Sequence, residues 1–291
     1  MLDPDRKKMS KSKGNVVTPA ATLEQFGSDA VRYWAASARL GVDAAMDPQN
    51  PTQIKIGRRL AIKVLNAAKF ILSFEAPEGA RATHAIDVGM LAALAEVVET
   101  ATTALEEYDH ARALEVTESF FWTFCDDYLE LVKDRAYSAD ADPADRGSAV
   151  AALREALDVL LRLFAPFVPF AAEEAWSWSH DGSIHTAPWP IAPTPDAPAT
   201  GGSADPRLLA LAGRALVGIR RAKTDAKASQ KTPVAEAVVS ASPEDIRSLE
   251  ARGAGPPRRG PHHRPDLHRG DGPAVTRITL ANAEQHEETD A

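Results

Sequence analysis

Lys8-Met9-Ser10-Lys11-Ser12-Lys13-Gly14 packs three lysines into six positions, with two serines and a closing glycine. A loop of this kind offers ammonium groups, hydroxyls and free backbone N–H groups to a polyphosphate. Those groups stabilise the negative charge that builds on a transferring phosphoryl centre and its leaving group. Gly14 lets the backbone bend close to an anion. The plain alternative is a solvated lysine-rich segment, and composition alone does not separate the two.

Other cations gather in two further places. Lys55, Arg58, Arg59, Lys63 and Lys69 share one helical segment, and Arg220, Arg221, Lys223 and Lys227 share another. The net charge of −8 argues against a nucleic-acid partner when taken over the whole chain. Phosphate binding depends on local patches, however, so a solvated face and an RNA-backbone contact both stay open for these residues. A single cysteine, Cys125, excludes an internal disulfide framework and a cysteine-rich zinc site. His262, His263 and His268 have only Asp266 beside them as a further ligand type, so no metal is expected. Residues 1–13 have no apolar core of a signal peptide, and no stretch approaches the roughly 18 apolar residues of a membrane span. The expectation is a cytoplasmic protein.

The elements that must carry these residues are mostly helical. Asn15-Val16-Val17 reads as a short extended run, and Thr18-Pro19 as a helix start with Thr18 as N-cap. Gly27 stops that helix, and Ser28 caps the next, which carries Asp29 in its first turn and Val31, Tyr33, Trp34 and Leu40 beyond. After the loop Asp47 to Pro51, a helix spans about 53–74, with Ile56, Leu60, Val64, Ala67 and Ile71 as one buried stripe. Further helices are expected at about 88–107, 110–137, 144–164 and 171–178, with a proline-bent turn at 164–170. The spacing assigns Leu114, Phe121, Trp122, Cys125, Tyr128 and Val132 to the core of the 110–137 helix. Long amphipathic helices with short connections make an antiparallel bundle. Residues 187–206 are rich in Pro, Ala, Thr and Gly and read as a linker. Beyond it come a helix at 206–228, strands at 234–240 and 274–280, a short helix starting at Ser242, and a polar, disordered tail.

The complete KMSKS string, followed by Gly-Asn-Val-Val, resembles the second ATP-binding signature of class I aminoacyl-tRNA synthetases. The likeness continues through Phe26-Gly27-Ser28-Asp29-Ala30-Val31-Arg32-Tyr33-Trp34, similar to the segment that joins catalytic core to helical bundle. Leu65-Asn66-Ala67-Ala68-Lys69-Phe70 is similar to the valine-specific branch. Phe121 to Tyr128, Leu163 to Phe170, Glu173-Glu174-Ala175-Trp176 and Ala187-Pro188-Trp189-Pro190 follow in order. The resemblance implies that Lys11, with Lys8 as a secondary contact, stabilises the adenylation transition state, and that Lys8, Met9, Ser10, Lys11 and Ser12 bind ATP. It implies ATP as substrate with Mg2+ alongside, and valine and tRNA(Val) as partners of the intact enzyme. For tRNA contact the candidates are Lys55, Arg58, Arg59, Lys63, Asn66, Arg220 and Arg221. Asn66 has a second reading, a buried polar group tying helices together. Glu173 and Glu174 read as caps or salt bridges at the start of their helix.

The implied fold is mainly α. Residues 1–48 are the end of a catalytic domain with the KMSKS loop, and 49–186 a helical anticodon-binding domain. A linker spans 187–206, a small α/β appendage 207–281 and a tail 282–291. None of the eight histidines sits in a HIGH-type motif, and no editing domain is recognisable. The resemblance therefore implies a monomeric portion of a longer ligase, inactive alone or served by a separate catalytic half, from a reading frame that opens inside a longer gene. A non-catalytic tRNA-binding module, or a portion of an isoleucine, leucine or methionine enzyme, is the alternative. In residues 252–270, sixteen of nineteen are Arg, Gly, Pro or His, and Leu267 is the only large apolar one. Such a segment builds no core. It reads as disordered or frameshifted, against a basic RNA-binding insert.

Overall fold

The computed structural model describes residues 3, 5, 7–16, 18–44, 47, 51–75, 77–137, 141–199, 204–229, 232, 234–241, 267–269 and 274–280. Its helices are α1 (Ala20–Phe26), α2 (Ser28–Ala36), α3 (Thr52–Leu72), α4 (Ala85–Glu106), α5 (His110–Thr123), α6 (Leu129–Tyr137), α7 (Pro143–Phe164), α8 (Pro169–Ser177) and α9 (Arg207–Asp225). Three strands follow, β1 (Val234–Ala241), β2 (Leu267–Arg269) and β3 (Ala274–Leu280). The chain divides into two compact units. One comprises Met1–Glu75, Leu94–Trp122 and Leu153–Pro193, the other Ala76–Ala93, Thr123–Ala152 and Thr194–Ala291.

In the first unit, α3 packs against α2 and α8. The expected stripe is present, but it starts at Ile54 and Gly57, while Ile56 is only half-buried. The helix begins at Thr52, and spacings of three and four from Ile54 run through Gly57, Leu60, Val64, Ala67 and Ile71. Gly57 is where α2 comes closest: a Cβ there would lie 2.5 Å from Tyr33 Cβ. Phe121 and Phe164 meet edge to face with centroids 5.2 Å apart, an arrangement favoured by ring quadrupoles.

Three helix starts differ from expectation. Pro19, not Thr18, occupies the cap position of α1, and no side chain caps it. Ser28 is already helical, and Gly27 precedes it at φ +85°, a conformation that favours glycine. Leu40 lies beyond the end of α2, at 70% exposure. The start of α8 is not capped by Glu173 or Glu174. Glu173 accepts from Ser183 Oγ and the Ile184 N–H, and Glu174 from Trp178 Nε1. The cap comes from α2: Asp29 Oδ1 accepts the Phe170 N–H at 3.1 Å and Oδ2 the Ala171 N–H at 2.7 Å. Val168 at the cap position has no side-chain acceptor, so two orphan donors of the first turn are satisfied from another element.

The second unit is organised around Asp87, which is fully buried in the first turn of α4. Its Oδ1 accepts from Tyr128 Oη at 2.8 Å and Arg135 Nη2 at 2.7 Å. Its Oδ2 accepts from Arg135 Nη1 at 3.1 Å and Ser148 Oγ at 2.6 Å. Ser148 Oγ in turn accepts the Thr83 and His84 N–H groups, and so caps the start of α4. The expected helix over 110–137 is interrupted: Phe124–Tyr128 form a π-helical turn between α5 and α6. Within the segment 187–206, expected as a linker, Trp189 and Ala199 are tied down. Trp189 Nε1 donates to Thr102 Oγ1 at 2.9 Å in the first unit, and the Ala199 N–H to the Thr83 carbonyl at 2.9 Å in the second. In α9, Leu208, Leu211, Leu216 and Ile219 are buried as their spacing requires. The strands form a sheet of order β2-β1-β3, β1 antiparallel to β3 and parallel to β2. Leu267–Arg269 thus form a strand inside the segment expected to be disordered. The remainder of 252–270, the helix expected from Ser242, and residues 282–291 lie outside the described residues.

By length and composition α4 is apolar enough to cross a membrane. Its Val88, Met90, Leu91 and Leu94 are fully buried in the protein instead.

Two substitutions test this packing. Asp87→Ala leaves the Arg135 guanidinium, whose side chain is 20% exposed, charged and without its carboxylate, and is expected to cost about 3–5 kcal/mol in chemical denaturation. Gly57→Ala gains about 1 kcal/mol of helix propensity. Its methyl meets the root of the Tyr33 side chain, which cannot swing away, so a net loss of about 1–3 kcal/mol is expected. A third test concerns His84. Burial, then the Arg135 charge, holds its imidazole below the usual value of 6.5. Its neutral form is therefore the folded form, and its stabilising contribution is complete above about 6.5 and declines as the unfolded chain takes up a proton below it. The stability difference between wild type and His84→Gln should shrink between pH 7.5 and 5.5, as read by urea denaturation at each pH.

Candidate functional site

Lys11–Lys13 form one turn of 3-10 helix. Gly14, at φ +66°, closes the turn by donating its N–H to the Lys11 carbonyl at 3.2 Å, and the Lys13 N–H reaches the Ser10 carbonyl at 3.1 Å. Ser10 and Ser12 hydroxyls lie 3.2 Å apart. Two residues that sequence reasoning passed over hold the base of the loop. Asn15 Oδ1 accepts the Ser10 N–H at 2.9 Å, and its Nδ2 donates to Asp3 Oδ2 at 2.8 Å and to the Lys8 carbonyl at 3.3 Å. Asp3 Oδ1 accepts the Lys7 N–H at 2.7 Å. The hydrogen bonds from Asn15 and then from Lys7 hold the Asp3 carboxyl below its usual value.

Met9 anchors the loop to the first unit. It is half-buried against the cluster of Ala30 and Ile54, beside Phe26 and Trp34. Lys8, Lys11 and Lys13 are exposed. The backbone is thus fixed at its root while three ammonium groups face outward, a combination suited to meeting a polyphosphate without a large ordering cost.

The cationic residues of α3 divide by environment. Lys55 and Asn66 are exposed, which removes the reading of Asn66 as a buried tie. Arg58 donates to the Gln25 carbonyl at 2.6 Å. Arg59 and Lys63 lie over the ring of Trp122, at 5.1 and 5.6 Å from its centroid. Trp122 was assigned to the core by its spacing but is only half-buried.

In the other unit, Arg220 bonds Asp127 Oδ1 at 3.3 Å and the Asp126 carbonyl at 2.5 Å. Burial, opposed by Arg220, keeps the Asp127 carboxyl above its usual value. Arg221 is 83% exposed, 3.9 Å from Asp225. Lys223 is buried. Among the described residues, no group of three or more His, Cys, Asp or Glu is placed to hold a metal ion.

Two family models match the chain. Residues 1–47 match the tRNA synthetases class I (I, L, M and V), and residues 87–239 the anticodon-binding domain of tRNA ligase. A valine–tRNA ligase of Leifsonia xyli subsp. xyli is 62% identical over 254 residues, 86% of this chain and 29% of that protein. One from Salinispora tropica is 50% identical over 96% of this chain and 34% of its own length. One from Thermobifida fusca is 57% identical over 82% of this chain and 27% of its own length. The chain thus spans about a third of the length of these curated relatives. The two family matches, in this order along the sequence, and the identity to these relatives show that the chain belongs to the anticodon-binding family of class I tRNA ligases, as a homologue of the valine–tRNA ligases.

Proposed function

We propose that this chain is the C-terminal portion of a valine–tRNA ligase, which activates valine with ATP and transfers it to tRNA(Val). The observation that carries this reading is the loop: a fixed root at Met9 and Asn15, with Lys8, Lys11 and Lys13 exposed beyond it. In activation, a valine carboxylate oxygen forms a bond to the α-phosphorus of ATP, and the bond from that phosphorus to the bridging oxygen breaks. Pyrophosphate leaves with the electron pair. Lys11 stabilises the charge growing on the leaving group, Lys8 gives a secondary contact, and Ser10 and Ser12 shape the turn around Met9. Mg2+ accompanies ATP as part of the substrate. Residues 49–186 dock tRNA, with Lys55, Arg58, Arg59, Lys63 and Asn66 as contacts on α3 and Arg220 and Arg221 on α9. Residues 207–281 form a small α/β appendage. The protein works in the cytoplasm as a monomer.

No HIGH-type motif is present in the 291 residues, so the rest of the ATP site lies on other residues of the intact enzyme. That same fact favours a second reading, a tRNA-binding module that complements a separate catalytic chain. The two readings differ in whether a separately expressed catalytic half restores exchange on mixing.

The purified chain should show no valine-dependent ATP–pyrophosphate exchange, and exchange by it alone would overturn the reading. In the intact ligase, Lys11→Ala should lower exchange by about 10²–10³-fold in kcat, the scale of one lost transition-state donor. The chain should bind a tRNA(Val) transcript more tightly than tRNA(Ile), tRNA(Leu) or tRNA(Met) at two salt concentrations. Equal binding of all four would remove the valine assignment.

A further inference from the structure

Arg59 and Lys63 are four residues apart on α3, so they share one face of the helix. Like charges at that spacing repel, yet here both approach a single ring, Trp122. The ring is held by design of its neighbours. Its indole N–H donates to Glu118 Oε1 at 3.1 Å, and the other oxygen, Oε2, accepts from Tyr33 Oη at 2.6 Å. Tyr33 is locked by the close approach of Gly57. Both oxygens of the Glu118 carboxylate are therefore engaged in orienting Trp122 and Tyr33. Trp122 in turn gathers two cations that a merely solvated helix face would let spread apart.

We infer that Arg59 and Lys63, positioned by Trp122, form a clamp for one phosphodiester group of the tRNA backbone. The inference rests on the tRNA-binding reading above and names the group that the α3 surface engages. The guanidinium supplies a planar fork of donors and the ammonium a compact charge, which suits a phosphate with two free oxygens. Trp122 is a positioning residue: it touches the cations, not the RNA.

The test is fluorescence anisotropy of a labelled tRNA(Val) transcript with the full chain, from about 50 to 200 mM KCl. Arg59→Ala with Lys63→Ala should weaken binding at least about tenfold at low salt. It should also flatten the plot of log K against log salt by about 0.9, the value for one lost phosphate neutralisation. Arg59→Lys with Lys63→Arg should keep the slope. Trp122→Leu should flatten the slope as the double variant does, and Trp122→Phe, which keeps a ring, should not. If wild type binds and the double alanine variant binds with the same affinity and slope, the clamp is overturned while the tRNA-binding reading stands. If the double variant loses slope but Trp122→Leu does not, the positioning role of Trp122 is overturned. If wild type does not bind tRNA at all, the reading and the clamp fall together.

Discussion

A buried carboxylate is tolerated only when its charge and lone pairs are matched from close range. Asp87 meets that condition through four donors on three other side chains, two of them from one guanidinium. The consequence is geometric. The first turn of α4, the π-helical turn at Tyr128, α6 at Arg135 and α7 at Ser148 must all converge on one group, and none can shift without exposing a charge to an apolar interior. The buried apolar side chains of the same helices, Val88, Met90, Leu91 and Val132 among them, tolerate many arrangements. The polar group selects one. Burial and then the Asp87 charge drive the Tyr128 phenol well above its usual range, which favours the protonated form that donates to Asp87.

The first unit uses the same device at smaller cost. Asp29 and Ala30 are neighbours in α2 with different duties. Asp29 satisfies the start of α8, and Ala30 packs beneath Met9 of the lysine loop. The short helix α2 therefore fixes the loop and the bundle helix to one rigid piece of backbone. Arg32, two residues further on, adds a bond to the Pro166 carbonyl at 2.9 Å. The lysine loop and the bundle helix α8 share their support within a few residues.

Much of this was legible in the sequence where the signal is local. The stripe on α3 announces itself because a helix repeats every three or four residues, and only its first turn was misplaced. The lysine loop is readable as a string of residue types. Its support was not readable, because Asn15 and Asp3 act across the loop and nothing in their identity says what they face. Trp122 was read as core because an apolar residue at helical spacing usually is. The structure leaves its ring to two cations that lie some sixty residues earlier in the chain. The π-helical turn was hidden for a different reason: Phe121, Phe124, Cys125 and Tyr128 keep an apolar rhythm that fits a regular helix nearly as well. Glu173 and Glu174 would stand in the first turn of a helix that began at Ala171, but α8 begins at Pro169, and Asp29, 141 and 142 residues away from its partners, takes the capping role.

That distance has a consequence in time. During synthesis from the N-terminus, Asp29 leaves the ribosome long before the residues it caps. At about 5–20 residues per second, the Phe170 and Ala171 amides follow on the order of ten seconds later. Until then α2 carries a carboxylate meant for the interior, and it must stay hydrated. The lysine loop, resting on the next residue, cannot take its final setting against a complete bundle before that moment. The nascent chain thus makes its lysine loop well before it makes the helix start that steadies the loop's support.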